Sequence, residues 1–151
     1  MEARMKNPVV LLPDVLKPIQ DALAQVKTAG VAQSTLELVH MRASQINSCT
    51  VCVTFGLQNM RAAGETDERM ALIAAWRESD LFTEAERAAL NLAEHATRLA
   101  DRSDPVPDAV WDEAARHYDE KQLAGLVLTI GFTNMFNRVN ATTRQIPGAW
   151  G

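Results

Sequence analysis

The chain lacks a basic stripe, an apolar run long enough to span a bilayer, and any cysteines beyond two, and each shortage removes a class of function. Its 15 Lys and Arg are dispersed among 19 Asp and Glu, giving a formal net charge of -4, which argues against nucleic acid as a partner. The longest apolar stretch, Leu123 to Phe136, is interrupted by Thr129, Thr133 and Asn134 and falls short of the roughly 20 residues a membrane-spanning helix needs. No membrane partner is expected. Glu2 and the prolines at 8, 13 and 18 break the apolar start too early for a signal sequence, so the expected compartment is the cytoplasm. With only 7 Gly and 6 Pro, and 47% hydrophobic against 23% charged residues, the 151-residue chain has the composition of one globular domain over residues 1–151. A core of that size folds without metals or structural disulfides.

Apolar residues recur at helical spacing almost throughout and strand alternation is rare, so the fold class is all-α. A first helix is expected from about Asp14 to Thr28, ending at Gly30, and a second from a Ser34 cap to Ile46. Asn47 or Ser48 should cap a third, running to Gly64 with both cysteines in its first turns. Thr66 or Asp67 opens a short helix to Trp76, and Thr83-Glu84-Ala85-Glu86 reads as a capping box for a helix to about Ala100. Pro107 starts a helix carrying Trp111 and Tyr118, and Asp119 caps the last long helix. Over Leu123 to Phe136 that helix is apolar on nearly every side, which predicts burial at the domain centre or in a subunit interface, and with three Trp residues suggests a homo-oligomer.

Two cysteines spaced Cys-x-x-Cys in a reducing compartment point to redox or metal chemistry. On a helix Cys49, Cys52 and Gly56 share one stripe, so both sulfurs would face the same way and could close and reopen a disulfide with little backbone movement. Near a helix N-terminus the unpaired N–H groups favour the thiolate, the reactive form. The alternatives are two small buried hydrophobes, or a zinc site, for which no second Cys-x-x-Cys or His-x-x-x-His supplies ligands. No metal or cofactor is therefore assigned. In the preceding helix Leu36, Val39, Ala43 and Ile46 form an apolar stripe, with Glu37, Met41 and Ser44 on its flank. If that flank faces the cysteines, Glu37 is placed to serve as a general base for the thiol proton, against the plainer reading of a solvated charge.

The run from Glu37 through Cys52, Glu-Leu-Val-His-Met-Arg-Ala-Ser-Gln-Ile-Asn-Ser-Cys-Thr-Val-Cys, resembles the core motif of the AhpD-like alkylhydroperoxidase and carboxymuconolactone decarboxylase superfamily. The likeness continues through Ala74 to Ser79 and Leu81 to Leu90 and fades toward Asn137 to Asn140, covering about residues 30–140. It implies an all-helical fold assembling into homo-oligomers, trimers or hexamers, and a peroxidase without haem or flavin. By the same resemblance Glu37 belongs to a proton relay, Cys52 is the peroxidatic thiolate that becomes a sulfenic acid, and Cys49 is the resolving thiol. The partners it implies are a small hydroperoxide substrate and an external dithiol reductant.

The chain departs from that pattern at two places. The peroxidase motif has a histidine four residues after the second cysteine, where this chain has Gly56, and another between the cysteines, where it has Val51. Gly56 leaves a gap that water, a ligand or a neighbouring side chain fills, and Gly56→His is expected to raise turnover if the gap accepts the ring. His40 reads as a polar surface residue, with rotation toward the gap as the alternative; His95 and His117 receive no function. Besides the peroxidase, the sequence leaves open a decarboxylase-type lyase and a non-enzymatic module for redox sensing or ligand binding.

Overall fold

In the computed structural model, which describes residues 2–148, the chain is all-helical, with no strand among the described residues. Its helices are α1 (Pro8–Leu11), α2 (Pro13–Val26), α3 (Gln33–Ile46), α4 (Thr50–Ala62), α5 (Asp67–Leu72), α6 (Glu84–Thr97), α7 (Asp108–Ala115) and α8 (Glu120–Thr143). Short 3₁₀ turns at Lys27–Ala29 and Ile73–Glu78 extend α2 and α5. Local chemistry sets most of these ends. Thr83 and Glu86 make the expected reciprocal cap on α6, and Asp119 pairs with Gln122 in the same way on α8. Each such cap stabilises a helix by about 1 kcal/mol.

Several boundaries differ from expectation. α3 begins at Gln33 after an Ala32 cap that offers no side-chain oxygen, so Ser34 lies inside the helix. α7 ends at Ala115, leaving Tyr118 beyond it, where its hydroxyl donates to the Ala85 carbonyl at 2.8 Å and ties the α7–α8 connection to α6.

α3 is the central element because it buries two faces rather than one. Leu36 and Val39 pack with Leu92, Ala93, Leu126 and Ile130 of α6 and α8, whereas Leu38 and Met41 pack with Met60, Ile73, Trp76 and Leu90. Met41 and Ser44, expected on a flank, are fully buried. α8 is buried along one side only: Leu123, Leu126 and Ile130 enter the core while Val127 and Leu128 are 43% and 50% exposed. Of the three tryptophans, Trp76 is buried, Trp111 is 42% exposed and Trp150 lies outside the described residues.

Candidate active site

Only Asn47, Ser48 and Cys49 separate α3 from α4. The N–H groups of Ser48 and Cys49 donate back to the carbonyls of Gln45 and Ser44 at 3.1 and 3.0 Å, and Ser48 takes the left-handed conformation, φ 53°, that such helix ends require. The reversal is tight enough that Cys49 itself, not Asn47 or Ser48, caps α4. Its Sγ accepts the N–H of Cys52 at 3.4 Å, so the cysteines stand as the cap and the third residue of a helix rather than as two points on one helical stripe.

Both are free thiols, buried to 3% and 5% exposure beneath Val51 and Phe136. The Cys52 thiol donates to Cys49 and, with the Cys52 N–H and the amides of Asn140 and Asn137, outweighs the penalty of burial, drawing Cys49 down to about 6. Cys52, holding its proton toward Cys49 and buried as well, is pushed well above the usual thiol range. The two shifts belong to the pair as a unit: each thiol is the other's main partner, so the first proton leaves more readily than from a lone thiol and the second is held more tightly.

α8 supplies the remaining polar wall. Asn140 Nδ2 lies 3.3 Å from Cys52 Sγ and 3.8 Å from Cys49 Sγ. Asn137 donates to Ser44 Oγ at 3.2 Å and, like Asn134, accepts from Asn47 Nδ2 at 2.9 Å, which fixes the linker to α8. None of these asparagines was singled out from the sequence as a functional residue. Their signal was there: Thr133, Asn137 and Asn140, four and three apart, line one face of an otherwise apolar helix, and a buried amide must find partners.

The gap at Gly56 is filled by His40. A Cβ built on Gly56 would lie 3.1 Å from His40 Cδ2 and 3.0 Å from Met41 Cε, so the missing side chain at residue 56 is what lets the imidazole sit against α4 without either neighbour giving way. His40 is thus no surface residue. Its Nε2 lies 3.2 Å from the Cys52 carbonyl, which can only accept, so Nε2 carries the proton and Nδ1 accepts from the Thr133 hydroxyl at 3.3 Å. Burial lowers its pKa, opposed by the Cys52 carbonyl and by Glu37, and the ring is neutral at neutral pH. Glu37, half-buried one turn earlier on α3, accepts from Gln33 Nε2 at 2.8 Å and acts on His40 through its charge. The structure brings Cys49 and Cys52 together and sets His40 on the backbone carbonyl of Cys52, while the Glu37 carboxylate, beside His40, takes its hydrogen bond from Gln33 and not from a thiol. His95 is held by the Pro105 carbonyl at 3.0 Å. Among the described residues no cluster of His, Cys, Asp or Glu is arranged to hold a metal ion.

Residues 13–95 match the model of the carboxymuconolactone decarboxylase family, and the chain is 35% identical over 130 residues to the uncharacterised protein YdfG of Bacillus subtilis, covering 86% of this chain and 87% of that one. The chain belongs to the carboxymuconolactone decarboxylase family. A second relative, YnjA of Escherichia coli, also uncharacterised, is 32% identical over 104 residues, 69% of this chain and 56% of its own. Among solved structures, a protein of unknown function from Agrobacterium tumefaciens, offered as a candidate antioxidant defence protein AhpD, superposes with a TM-score of 0.87 at 28% identity over 98% of this chain and 99% of that one. The debrominase Bmp8 shares the fold, with a TM-score of 0.78 at 21% identity over 94% and 75% of the two chains. Within this family member, Glu37, His40, Cys49, Cys52 and Gly56 fall inside the matched segment, whereas Thr133, Asn137 and Asn140 lie beyond it.

Proposed function

We propose that the chain is a thiol-dependent, peroxidase-like oxidoreductase that reduces a small hydroperoxide at Cys49 and Cys52 and is recharged by an external dithiol. The observation that carries this reading is the pair itself: two free thiols at a helix N-terminus, with a backbone N–H and the Asn140 amide aimed at the sulfurs. A thiolate attacks the outer oxygen of the peroxide, the O–O bond breaks, and the alkoxide leaves and takes a proton to become an alcohol. The sulfur, now a sulfenic acid, is attacked by the second thiol; water leaves and a disulfide remains. Exchange with an external dithiol restores the pair and carries away the two electrons the peroxide consumed.

The resemblance makes Cys52 the first attacker, which requires its proton to cross to Cys49 over the hydrogen bond that joins them. Asn140 Nδ2 lies nearer Cys52 Sγ than Cys49 Sγ, 3.3 against 3.8 Å, which supports a charge held on Cys52 once that proton has crossed. His40, on α3 rather than α4 and with Glu37 beside it, would protonate the alkoxide once its Nε2–H turns from the Cys52 carbonyl toward the leaving oxygen. We place this chemistry in the cytoplasm, where a dithiol reductant is at hand; no described helix is long and apolar enough to cross a membrane. The open apolar face of α8 at Val127 and Leu128 supports assembly into the homo-oligomer, trimer or hexamer, that the family likeness implies.

The test is hydroperoxide consumption coupled to a dithiol, with Cys49→Ser and Cys52→Ser beside the parent. Turnover in the parent and none in either variant is expected, and a trappable sulfenic acid in one variant identifies the attacking sulfur. A parent that oxidises once but does not turn over moves the reading to redox sensing, which the burial of both sulfurs favours.

A further inference from the structure

The amides around the cysteines have an internal polarity. Asn7, buried at the N-terminal cap of α1, accepts the N–H of Val9 on its Oδ1 at 3.1 Å. A backbone N–H only donates, so this bond fixes which end of the Asn7 amide is which and turns Nδ2 toward α8. There Asn7 Nδ2 donates to Asn140 Oδ1 at 3.4 Å. With its oxygen engaged, Asn140 can present only its NH₂ to the cysteines, and that group has two hydrogens for two sulfurs, at 3.3 and 3.8 Å. The segment carrying Asn7 is itself tied across the end of α8, through Arg4 N to the Thr143 carbonyl at 2.9 Å and Gln145 Nε2 to the Met5 carbonyl at 3.0 Å.

We infer that Asn140 is a catalytic residue of the thiol pair, donating to whichever sulfur carries the charge, and that Asn7 is the positioning residue that keeps its donor end inward. The inference rests on the redox reading above for its use, and on geometry for its content. An amide with its oxygen turned inward would repel a thiolate, so orientation decides the sign of the effect, and a residue 133 positions away in the chain supplies it. The titratable groups about the pair are the cysteines themselves and, on α3, His40 on the Cys52 carbonyl with Glu37 behind it. Arg4 of the N-terminal segment is spent on the Thr142 carbonyl, and Arg138 and Arg144 are exposed.

The experiment is the rate of iodoacetamide alkylation of each cysteine across pH, read by mass, on the full chain, with thermal melting to confirm that each variant is folded. Asn140→Leu should slow neutral-pH alkylation about tenfold, the equivalent of one pKa unit, and move the profile to higher pH. Asn140→Asp, which keeps the shape but aims oxygens at the sulfurs, should slow it further. Asn7→Leu, which leaves Asn140 in place but frees it to turn, should shift the profile in the same direction by less. Because a buried amide can be needed for folding, Asn7→Leu serves as the arm that leaves the α8 wall intact. Folded variants of Asn140 that keep the parent profile overturn the assignment, and an Asn7→Leu profile equal to the parent overturns the positioning role. Failure of the parent to consume hydroperoxide with these shifts intact would sink the peroxidase reading and leave this one standing.

Discussion

Two buried polar centres lie on either side of α3, and they handle charge in opposite ways. At one, the Glu94 carboxylate of α6 accepts from Arg42 Nε at 2.6 Å, Arg77 Nη1 at 2.7 Å, Arg98 Nη1 at 3.3 Å and Trp76 Nε1 at 2.9 Å. Burial would raise its pKa, but these donors overcome it and hold the carboxyl at about 2. At the other, the cysteine sulfurs meet only neutral donors at longer range, the Cys52 N–H at 3.4 Å and the Asn140 amide at 3.3 and 3.8 Å. A charge surrounded by guanidinium groups is neutralised and inert. A charge held by dipoles alone would remain available to an electrophile, and the proposed redox role of the thiol pair rests on that contrast.

The sharpest way to break the contrast is to remove each centre. Cys49→Ser or Cys52→Ser should abolish turnover while shifting Tm little. Glu94→Gln should cost about 3 kcal/mol or more, because it leaves Arg42 buried without a counter-charge, and should lower Tm by about 10 °C while the folded fraction keeps its thiol reactivity. Alkylation kinetics and thermal melts on the three proteins decide this.

pH separates the centres next. Because the folded pKa of Glu94 lies below its unfolded value, its contribution to stability is complete above about 4.5 and is lost as pH falls through about 2. Cys49 reactivity is expected to disappear earlier, as pH falls through about 6 and the thiolate takes up its proton. Acid should therefore silence the site in a protein that is still folded, which circular dichroism and alkylation followed together will show.

A smaller effect is expected at Gly56, where the structure reverses the expectation drawn from the sequence. Since the space is occupied by His40, Gly56→His should displace that ring and lower turnover about tenfold, despite a helix-propensity gain of up to about 1 kcal/mol. Combining it with His40→Ala should recover part of the loss, which would confirm that one imidazole at this place is what matters. The smallest change is Ser48→Gly. It relieves a left-handed serine and should stabilise the fold by about 1 kcal/mol without altering the thiol profile.

The helical class, the Thr83 and Asp119 caps and the nearness of Cys49 to Cys52 were legible because each is written in residues close together in sequence. Periodicity shows one apolar face, so a helix such as α3, buried on two, hid Met41 and Ser44. The place of His40 was unreadable for a different reason: its fit depends on a missing Cβ sixteen positions later, and a glycine in a helix reads as weakness rather than as room. The asparagines of α8 meet the cysteines across about 90 residues, and their separations in sequence say nothing of which amide end faces inward.

That Cys49 caps α4 with its sulfur would make the backbone a reporter of oxidation if the pair closes as proposed. A thiolate is a good acceptor, whereas a disulfide sulfur is a poor one, so closing the pair removes the partner of the Cys52 N–H. The first turn of α4 should then exchange its amide hydrogens with solvent faster in the oxidised protein than in the reduced one, even where side chains barely move. Any molecule that senses how firmly this helix begins, a neighbouring copy or a docking reductant, could distinguish the spent form from the recharged one by its loosened end.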